Sequence, residues 1–298
     1  MGSPTSRRAF LLGRRTPPST WGNFCARLSR SCAGQVRWEE TRGRQQAWLI
    51  PAREKDVLHA HALCLEYRVQ LALNGFDSGP LATHTQSPRL WVESQAPWAQ
   101  AASSDAAGLI WRAEAGCKLK VLQDVGVRVL RDADPEQTVA QWLASEHSAQ
   151  WPTGQGACSG IAQVQVMLAD GTIAVLGPFG ASATTPLRSL TVQKMIPKLF
   201  ELASSEVALE CARAAVWPLR FRLDALMPAQ GGDVNLAWLF AGHGARLGWV
   251  QAVWFERDEI VQTNSLQTPG AHVVVAAQQG EALAQQLKES FDPLGIFP

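Results

Sequence analysis

The segment from Asp233 to Trp254 constrains the fold more than any other part of the sequence. It reads Asp-Val-Asn-Leu-Ala-Trp-Leu-Phe-Ala-Gly-His-Gly-Ala-Arg-Leu-Gly-Trp-Val-Gln-Ala-Val-Trp. The pattern predicts a short helix, then a glycine-rich turn, then an apolar strand over residues 248–256. Glycines permit positive φ and let a backbone or a ligand come close. The segment therefore predicts a tight turn that leads into a buried strand.

Composition indicates a globular protein with one large domain or two small ones. The chain has 298 residues, of which 46% are apolar and 18% charged, enough for a sizeable core. The net charge of +1 gives no case for nucleic acid as a partner. Residues 1–44, however, hold nine arginines and two glutamates, a net of +7 that leaves −6 for the remainder. This basic arm is either a docking segment or a frayed, solvated terminus.

Metal sites, membrane spans and export are not expected. The six cysteines form no Cys-x-x-Cys pair, which fits reduced, mostly buried thiols. His59 and His61 are two residues apart on a predicted helix and point to different faces. No run of about 18 apolar residues exists. The twin-arginine-like residues 6–12 are followed by Gly-Arg-Arg-Thr-Pro-Pro rather than an apolar stretch, so we expect a cytoplasmic protein.

Periodicity predicts a small α/β unit followed by a larger antiparallel sheet with flanking helices. In the first part we expect helices over residues 21–33, 54–68 and 118–125, and strands over 46–50, 69–73, 90–92 and 109–113. In the second part we expect helices over residues 139–145, 189–203, 205–215 and 281–290. Strands are expected there over 162–168, 173–176, 248–256 and 273–277. Asp170-Gly171 predicts a hairpin turn between two of these strands.

Several segments share a resemblance to one family. The glycine-rich turn resembles the "Leu-Phe-x-Gly-x-x-Gly-Thr-Leu-Gly" segment of FAD-linked oxidases of the vanillyl-alcohol-oxidase type. Residues 113–119 resemble "Glu-x-Gly-x-x-Leu", residues 138–144 "Thr-Ile-Gly-Gly-x-Ile-Ala", and residues 291–297 "Phe-Asp-Pro-x-Gly-Ile-Phe". The order and spacing are most similar to the FAD-binding subunits of glycolate oxidase and D-lactate dehydrogenase. The resemblance implies an α+β, two-subdomain PCMH-type FAD-binding fold, with FAD in the cleft between the subdomains.

The resemblance also implies which residues would hold the cofactor. One set forms the loop after the strand at 69–73, a second lies at the start of the helix at 139–145, and a third lies in the glycine-rich turn. The candidate cofactor-binding residues are Asn74, Gly75, Phe76, Asp77, Ser78, Gly79, Thr138, Ala140, Gln141, Gly242, Gly244, Arg246 and Gly248. Backbone amides of such segments would cradle the pyrophosphate.

The same residues depart from the family pattern. Where the family loop has three glycines, this chain has Gly75, Phe76 and Asp77. At ~4 Å, two like charges repel by about 1 kcal/mol in water and about 4 kcal/mol at an effective dielectric near 20, so Asp77 opposes a phosphate. Ala140 and Gln141 replace the paired glycines of the second segment. Arg246 partly offsets these losses, because a guanidinium pairs with phosphate.

Two functions are therefore open. The first is an FAD-binding oxidoreductase subunit, in which FAD accepts a hydride from a 2-hydroxy acid. The second is a non-catalytic relative that has lost FAD and serves as an assembly or docking subunit. Only about 35 residues connect Trp254 to Phe291, fewer than a substrate-binding cap domain needs, so no catalytic residue is assigned. Either function predicts a protein partner in a flavin dehydrogenase complex.

The predicted organisation has four parts. Residues 1–44 form the basic arm with a short helix. Residues 45–130 form the first FAD-binding subdomain, and residues 131–256 the second. Residues 257–298 form a hairpin and a helix in the place of the cap domain.

Overall fold

The computed structural model describes residues 19–41, 43–76, 87–96, 98–180, 186–228, 232–257 and 277–298. The helices are α1 (Thr20–Ser31), α2 (Glu54–Tyr67), α3 (Leu119–Asp124), α4 (Val139–Ala144), α5 (Leu190–Ala203), α6 (Glu206–Cys211) and α7 (Ala277–Phe291). The strands are β1 (Gln35–Thr41), β2 (Arg44–Ile50), β3 (Gln70–Leu73), β4 (Arg89–Val92), β5 (Ala101–Ser103), β6 (Ile110–Glu114), β7 (Ile161–Met167), β8 (Ile173–Leu176), β9 (Pro178–Phe179), β10 (Val234–Asn235) and β11 (Trp249–Glu256).

The first sheet has four strands in the order β1-β2-β4-β3. β2, β4 and β3 run parallel, and β1 pairs antiparallel with β2. Parallel neighbours need a crossover, and α2 supplies it between β2 and β3. Alternate strand residues such as Leu49, Leu90 and Leu71 are buried in one cluster with the apolar faces of α1 and α2. This half is the predicted small α/β unit.

The second sheet has five strands in the order β5-β6-β11-β7-β8, and every neighbouring pair is antiparallel. The apolar strand predicted after the glycine-rich turn, β11, is the central strand of this sheet. β7 and β8 are joined through the predicted Asp170-Gly171 turn, in which Gly171 has a φ of 82°. A second buried cluster fills the space between this sheet and α4, α5 and α7. The predicted α+β class is confirmed.

The structure corrects several details of the sequence interpretation. The strand predicted at residues 109–113 was placed in the first subdomain, but β6 pairs with β11 in the second sheet. β1, predicted to belong to the arm, is a full strand of the first sheet. The short helix before the glycine-rich turn is a 3-10 helix, Leu236–Phe240. The strand predicted at 273–277 falls outside the described residues except for Ala277, which begins α7.

Arg222 and Asp224 form a buried ion pair in the second half of the chain. Arg222 donates to both carboxylate oxygens of Asp224, at 2.8 and 2.6 Å, and to the carbonyl oxygens of Ala149 and Trp151, at 2.6 and 2.9 Å. The pair is almost fully buried, so each of these bonds is needed to offset desolvation. Among the helices of the described ranges, none is long and apolar enough to cross a membrane.

Candidate functional site

The first two predicted cofactor segments lie side by side. β3 ends at Leu73, and the chain turns through Asn74 and Gly75, whose φ is 74°. The Gln141 Nε2 atom donates to the Asn74 carbonyl oxygen at 3.5 Å. A Cβ atom added to Gly75 would lie 3.0 Å from the same nitrogen. The Gln141 side chain therefore covers the loop at the place where the resemblance implies a pyrophosphate.

The backbone amides at the start of α4 are all committed within the protein. Val139 N–H donates to the carbonyl oxygen of Cys117, and Ala140 N–H donates to that of Ala115, both at 2.9 Å. Gln141 N–H donates to the Thr138 hydroxyl at 3.3 Å. Trp142 N–H begins the helical pattern. Helix amino termini bind anions through free N–H groups, and this six-residue helix offers none.

Thr138 and Gln141 form a reciprocal cap. The Thr138 hydroxyl accepts from Gln141 N–H, while Gln141 Oε1 accepts from Thr138 N–H at 3.1 Å, the arrangement called a capping box. The Thr138 hydroxyl also lies 2.8 Å from the Ser94 hydroxyl in a buried contact. Thr138 and Gln141, two of the candidate cofactor-binding residues, thus have structural roles within the protein.

A carboxylate occupies the other side of the loop. Asn74 Nδ2 donates to Glu93 Oε2 at 2.8 Å. Glu93 follows β4, whose carboxyl end lies beside that of β3 because the two strands are parallel. The sequence interpretation missed Glu93 and Ser94, although parallel strands bring their carboxyl ends to one edge. The result is negative charge next to the predicted phosphate position.

A cleft does lie between the two sheets, where FAD was expected. Its charged lining residues are Glu54, Glu93, Glu114 and Arg112, and Arg112 pairs with Glu114 at 3.6 Å. Carboxylates therefore outnumber cations, which opposes a dianionic pyrophosphate. The cleft has a volume of ≈ 70 Å³, against about 300–1,000 Å³ for pockets that enclose a drug-sized ligand.

The third predicted segment lies at the opposite end of α4. Gly242 N–H donates to the Leu143 carbonyl oxygen at 2.9 Å and to the Ser148 hydroxyl at 2.8 Å. Gly244 N–H donates to the Ala144 carbonyl oxygen at 3.0 Å. These amides therefore complete the carboxyl end of the helix, which would otherwise leave carbonyl oxygens unsatisfied. The structure separates this segment from the loop by the length of α4.

The side chains of the third segment are buried. Arg246 is 1% exposed, so its guanidinium is not presented to a ligand in solvent. His243 is 2% exposed and packs on the Phe240 ring with centroids 5.3 Å apart. Burial lowers the pKa of His243 to about 3, because removal from water disfavours the charged imidazolium. His243 is thus a neutral core residue.

Gly248 is required by packing. A Cβ atom there would lie 2.5 Å from Val166 Cγ2 and 3.1 Å from the Met167 carbonyl oxygen. The glycine lets β11 begin directly against β7. Its presence therefore follows from the sheet and needs no cofactor to explain it.

Asp77, Ser78 and Gly79 lie outside the described residues. His59 is exposed, with Nδ1 3.1 Å from the Ser31 carbonyl oxygen, whereas His61 is buried, which confirms their different environments. All six cysteines are free, and five are buried. Within the described ranges, no group of three or more His, Cys, Asp or Glu side chains is arranged to hold a metal ion.

The described residues of the predicted cradle do not fit FAD. The amides at the start of α4, which would face the phosphates from one side, donate to the protein itself. Glu93 adds negative charge beside the loop. The third segment is folded into the core rather than turned towards the loop. An amide already bonded to a carbonyl oxygen cannot stabilise a phosphate without losing that bond.

Comparison with known proteins gives only a loose likeness. No family model matches the sequence, and no curated protein matches it. Among solved structures, a BBE-like 1 variant of Physcomitrella patens is 14% identical with a TM-score of 0.42, over 78% of this chain and 44% of that one. An alkyldihydroxyacetonephosphate synthase is 11% identical with a TM-score of 0.40, over 72% and 32%. The chain spans less than half of either protein, and likeness at this level says nothing about its chemistry.

Proposed function

We propose that this chain is a non-catalytic assembly or docking subunit, built on a fold of the flavin-oxidase type but without a bound flavin. The observation that carries the proposal is the hydrogen bonding at the start of α4. Val139, Ala140 and Gln141 donate their amides to the protein's own oxygen atoms. A phosphate at this position would have to displace three existing hydrogen bonds, each worth about 1 kcal/mol net.

Charge supports the same proposal. The loop carries the Asn74–Glu93 contact, and the cleft lining has three carboxylates and one guanidinium. By contrast, the described part of the basic arm presents exposed arginines, including Arg30 and Arg44, beside two exposed glutamates, Glu39 and Glu40. A surface with an excess of exposed arginines suits recognition of an acidic protein surface. The partner we propose is the catalytic flavoprotein of a dehydrogenase complex.

The FAD-binding oxidoreductase stays as the second candidate. It is favoured by one observation: Asn74 and Gln141, which come from separate predicted cofactor segments, do meet in space beside a cleft. In that case the chain would support oxidation of a 2-hydroxy acid, with FAD supplying the redox chemistry. This candidate requires the amides of α4 to be released on binding.

An absorption spectrum separates the two candidates. Oxidised flavin absorbs at about 370 and 450 nm. We expect neither band in the purified protein, nor after incubation with FAD followed by gel filtration. The variant Gln141→Gly uncovers the loop but leaves the Val139 and Ala140 amides committed, so we expect it to remain colourless as well. Flavin retained in a 1:1 ratio by the natural protein would overturn the proposal in favour of the second candidate.

The docking role has its own test. A full-length flavin dehydrogenase from the same organism should co-purify with this chain after co-expression. Replacement of Arg30 and Arg44 by glutamate should weaken that complex and reduce its salt dependence, because charged contacts are screened by salt. Lack of any complex with the flavoprotein, at low as well as high salt, would contradict the docking role.

A further inference from the structure

The two outer edges of the first sheet differ. On the β3 edge, Leu71 N–H donates to the Ile296 carbonyl oxygen at 2.7 Å. Ile296 belongs to the segment that follows α7. Asp292 holds this segment in place by accepting from the amides of Ile296 and Phe297, at 2.8 and 2.9 Å. On the opposite edge, β1 pairs with β2 alone as far as the described residues extend, and all of its residues except Val36 are exposed. An open edge strand is a template for pairing with another chain.

The hairpin geometry fixes which backbone groups face outwards. β1 and β2 are joined by a two-residue loop, and Thr41 pairs with Arg44 next to it. The pair that closes such a loop exchanges both of its backbone hydrogen bonds, and these pairs alternate along the ladder. The odd-numbered residues of β1 therefore turn their N–H and C=O groups towards β2. Val36, Trp38 and Glu40 turn theirs towards the open edge.

The side chains of β1 match a second copy of the same strand. If two copies run antiparallel with Trp38 opposite Trp38, then Val36 lies opposite Glu40, and Arg37 lies opposite Glu39. In this register the outward-facing backbone groups meet each other. The Arg37 and Glu39 positions then form a non-hydrogen-bonded pair, the type in which side chains are closer. Because the arrangement has a two-fold axis, the ion pair occurs twice.

Neighbouring registers are disfavoured by charge. A shift of two residues in one direction places Arg37 opposite Arg37, and a shift in the other places Glu39 opposite Glu39. Like charges directly opposite each other destabilise a sheet. A shift of one residue brings the outward-facing backbone groups against inward-facing ones. Of these registers, the one centred on Trp38, whose side chain is 49% exposed, alone satisfies both backbone and charge.

We propose that two copies of this chain associate through β1, about a two-fold axis at Trp38, to form one continuous eight-stranded sheet from their two four-stranded sheets. The two Trp38 side chains meet at the centre, and an Arg37–Glu39 pair lies on each side. This inference does not depend on whether FAD is bound. Charges on an edge strand can also serve to prevent pairing, and a monomeric protein is therefore the result that would overturn the proposal.

Charge reversal tests the register. Sedimentation velocity over a range of concentrations should show a monomer–dimer equilibrium. The single variants Arg37→Glu and Glu39→Arg each create two like-charge contacts, so each should raise the dissociation constant about tenfold. The double variant restores both pairs with the signs exchanged and should return to within about threefold of the natural value. Arg44→Glu makes the same charge change on β2 and should leave the dimer unchanged.

Cross-linking gives a second measurement that does not depend on affinity. Trp38→Cys places two thiols across the axis at a Cα separation of about 5.5 Å, within the range of a disulfide. It should form a covalent dimer under mild oxidation. Glu40→Cys faces Val36 of the other copy and should not. A monomer at every concentration, a double variant as weak as the singles, or equal cross-linking of both cysteine variants would overturn the proposal.

Discussion

The two ends of α4 satisfy their backbone groups in different ways. At the amino end, the Thr138 hydroxyl accepts from Gln141 N–H, while the Gln141 side chain accepts from Thr138 N–H and covers the loop at Gly75. At the carboxyl end, the amides of Gly242 and Gly244 complete the helix. Both ends carry residues that resemble cofactor-binding segments, yet neither leaves its amides free. Glycine-rich sequence therefore indicates close backbone approach, and the structure decides whether a ligand or the protein itself comes close.

The largest expected effect is at the carboxyl end, where the glycines serve packing. Gly248→Ala should destabilise the protein by about 2–3 kcal/mol, the upper part of the usual range for overpacking a core. The added Cβ would lie 2.5 Å from Val166 Cγ2, so Val166→Ala should relieve part of the cost in the double variant. Urea unfolding of the four proteins in this cycle measures the coupling. Strict additivity would show that this contact is not the cause.

Gly75→Ala is the matched change at the amino end. Among the described residues, the only close neighbour of its Cβ is the end of the flexible Gln141 side chain. The stability lost in Gly75→Ala should come from the positive φ alone, and should be about 1–2 kcal/mol. A larger loss than at Gly248 would reverse the comparison between the two segments.

The buried imidazole of the glycine-rich turn predicts acid sensitivity. Burial lowers the pKa of His243 to about 3, whereas the same imidazole in the unfolded chain has a pKa of about 6.5. The unfolded state therefore binds more protons between these values, and stability falls as the pH decreases from about 6.5 towards 3, by at most about 1.4 kcal/mol per pH unit. Between pH 6.5 and 5, His243 should cost about 2 kcal/mol.

His243→Gln should flatten the pH profile of unfolding over this range. His147→Gln changes an exposed histidine and is the matched control, for which we expect the profile of the natural protein. Equal slopes for the natural protein and His243→Gln would contradict the burial of His243.

A smaller effect is expected at the amino end of α4. Thr138→Ala removes the hydroxyl that accepts from Gln141 N–H and that meets Ser94, and should cost about 1 kcal/mol. Thr138→Ser keeps the hydroxyl and should cost less than half as much. Thermal unfolding of the two variants measures the difference. Equal losses would show that the methyl group of Thr138, not its hydroxyl, matters.

The sequence predicts the local elements well because their causes are local. The alternation in β7, the Asp170-Gly171 turn and the apolar face of α1 each lie within a few residues. The pairing of β6 with β11 was missed, since the partners are about 140 residues apart and short strands carry no signal for partner choice.

The state of the candidate site could not be predicted for the same reason. Gln141 was recognised as an obstacle to FAD, but its capping box needs the helix to start at Val139. The commitment of the Val139 and Ala140 amides depends on the carbonyl oxygens of Cys117 and Ala115, which only the folded chain brings near. Arg246 was expected at the phosphate because sequence pattern does not report burial.

The amides of Val139, Ala140 and Gln141 are held by the protein itself, and this is what argues against a phosphate at α4. The most direct test is to follow their amide NMR signals and hydrogen exchange while ADP, the phosphate-bearing half of FAD, and then FAD itself are added. We expect slow exchange in the free protein and no ligand-dependent shift at these three positions. Rapid exchange that becomes protected on addition of FAD, with large shifts at the same amides, would contradict this expectation.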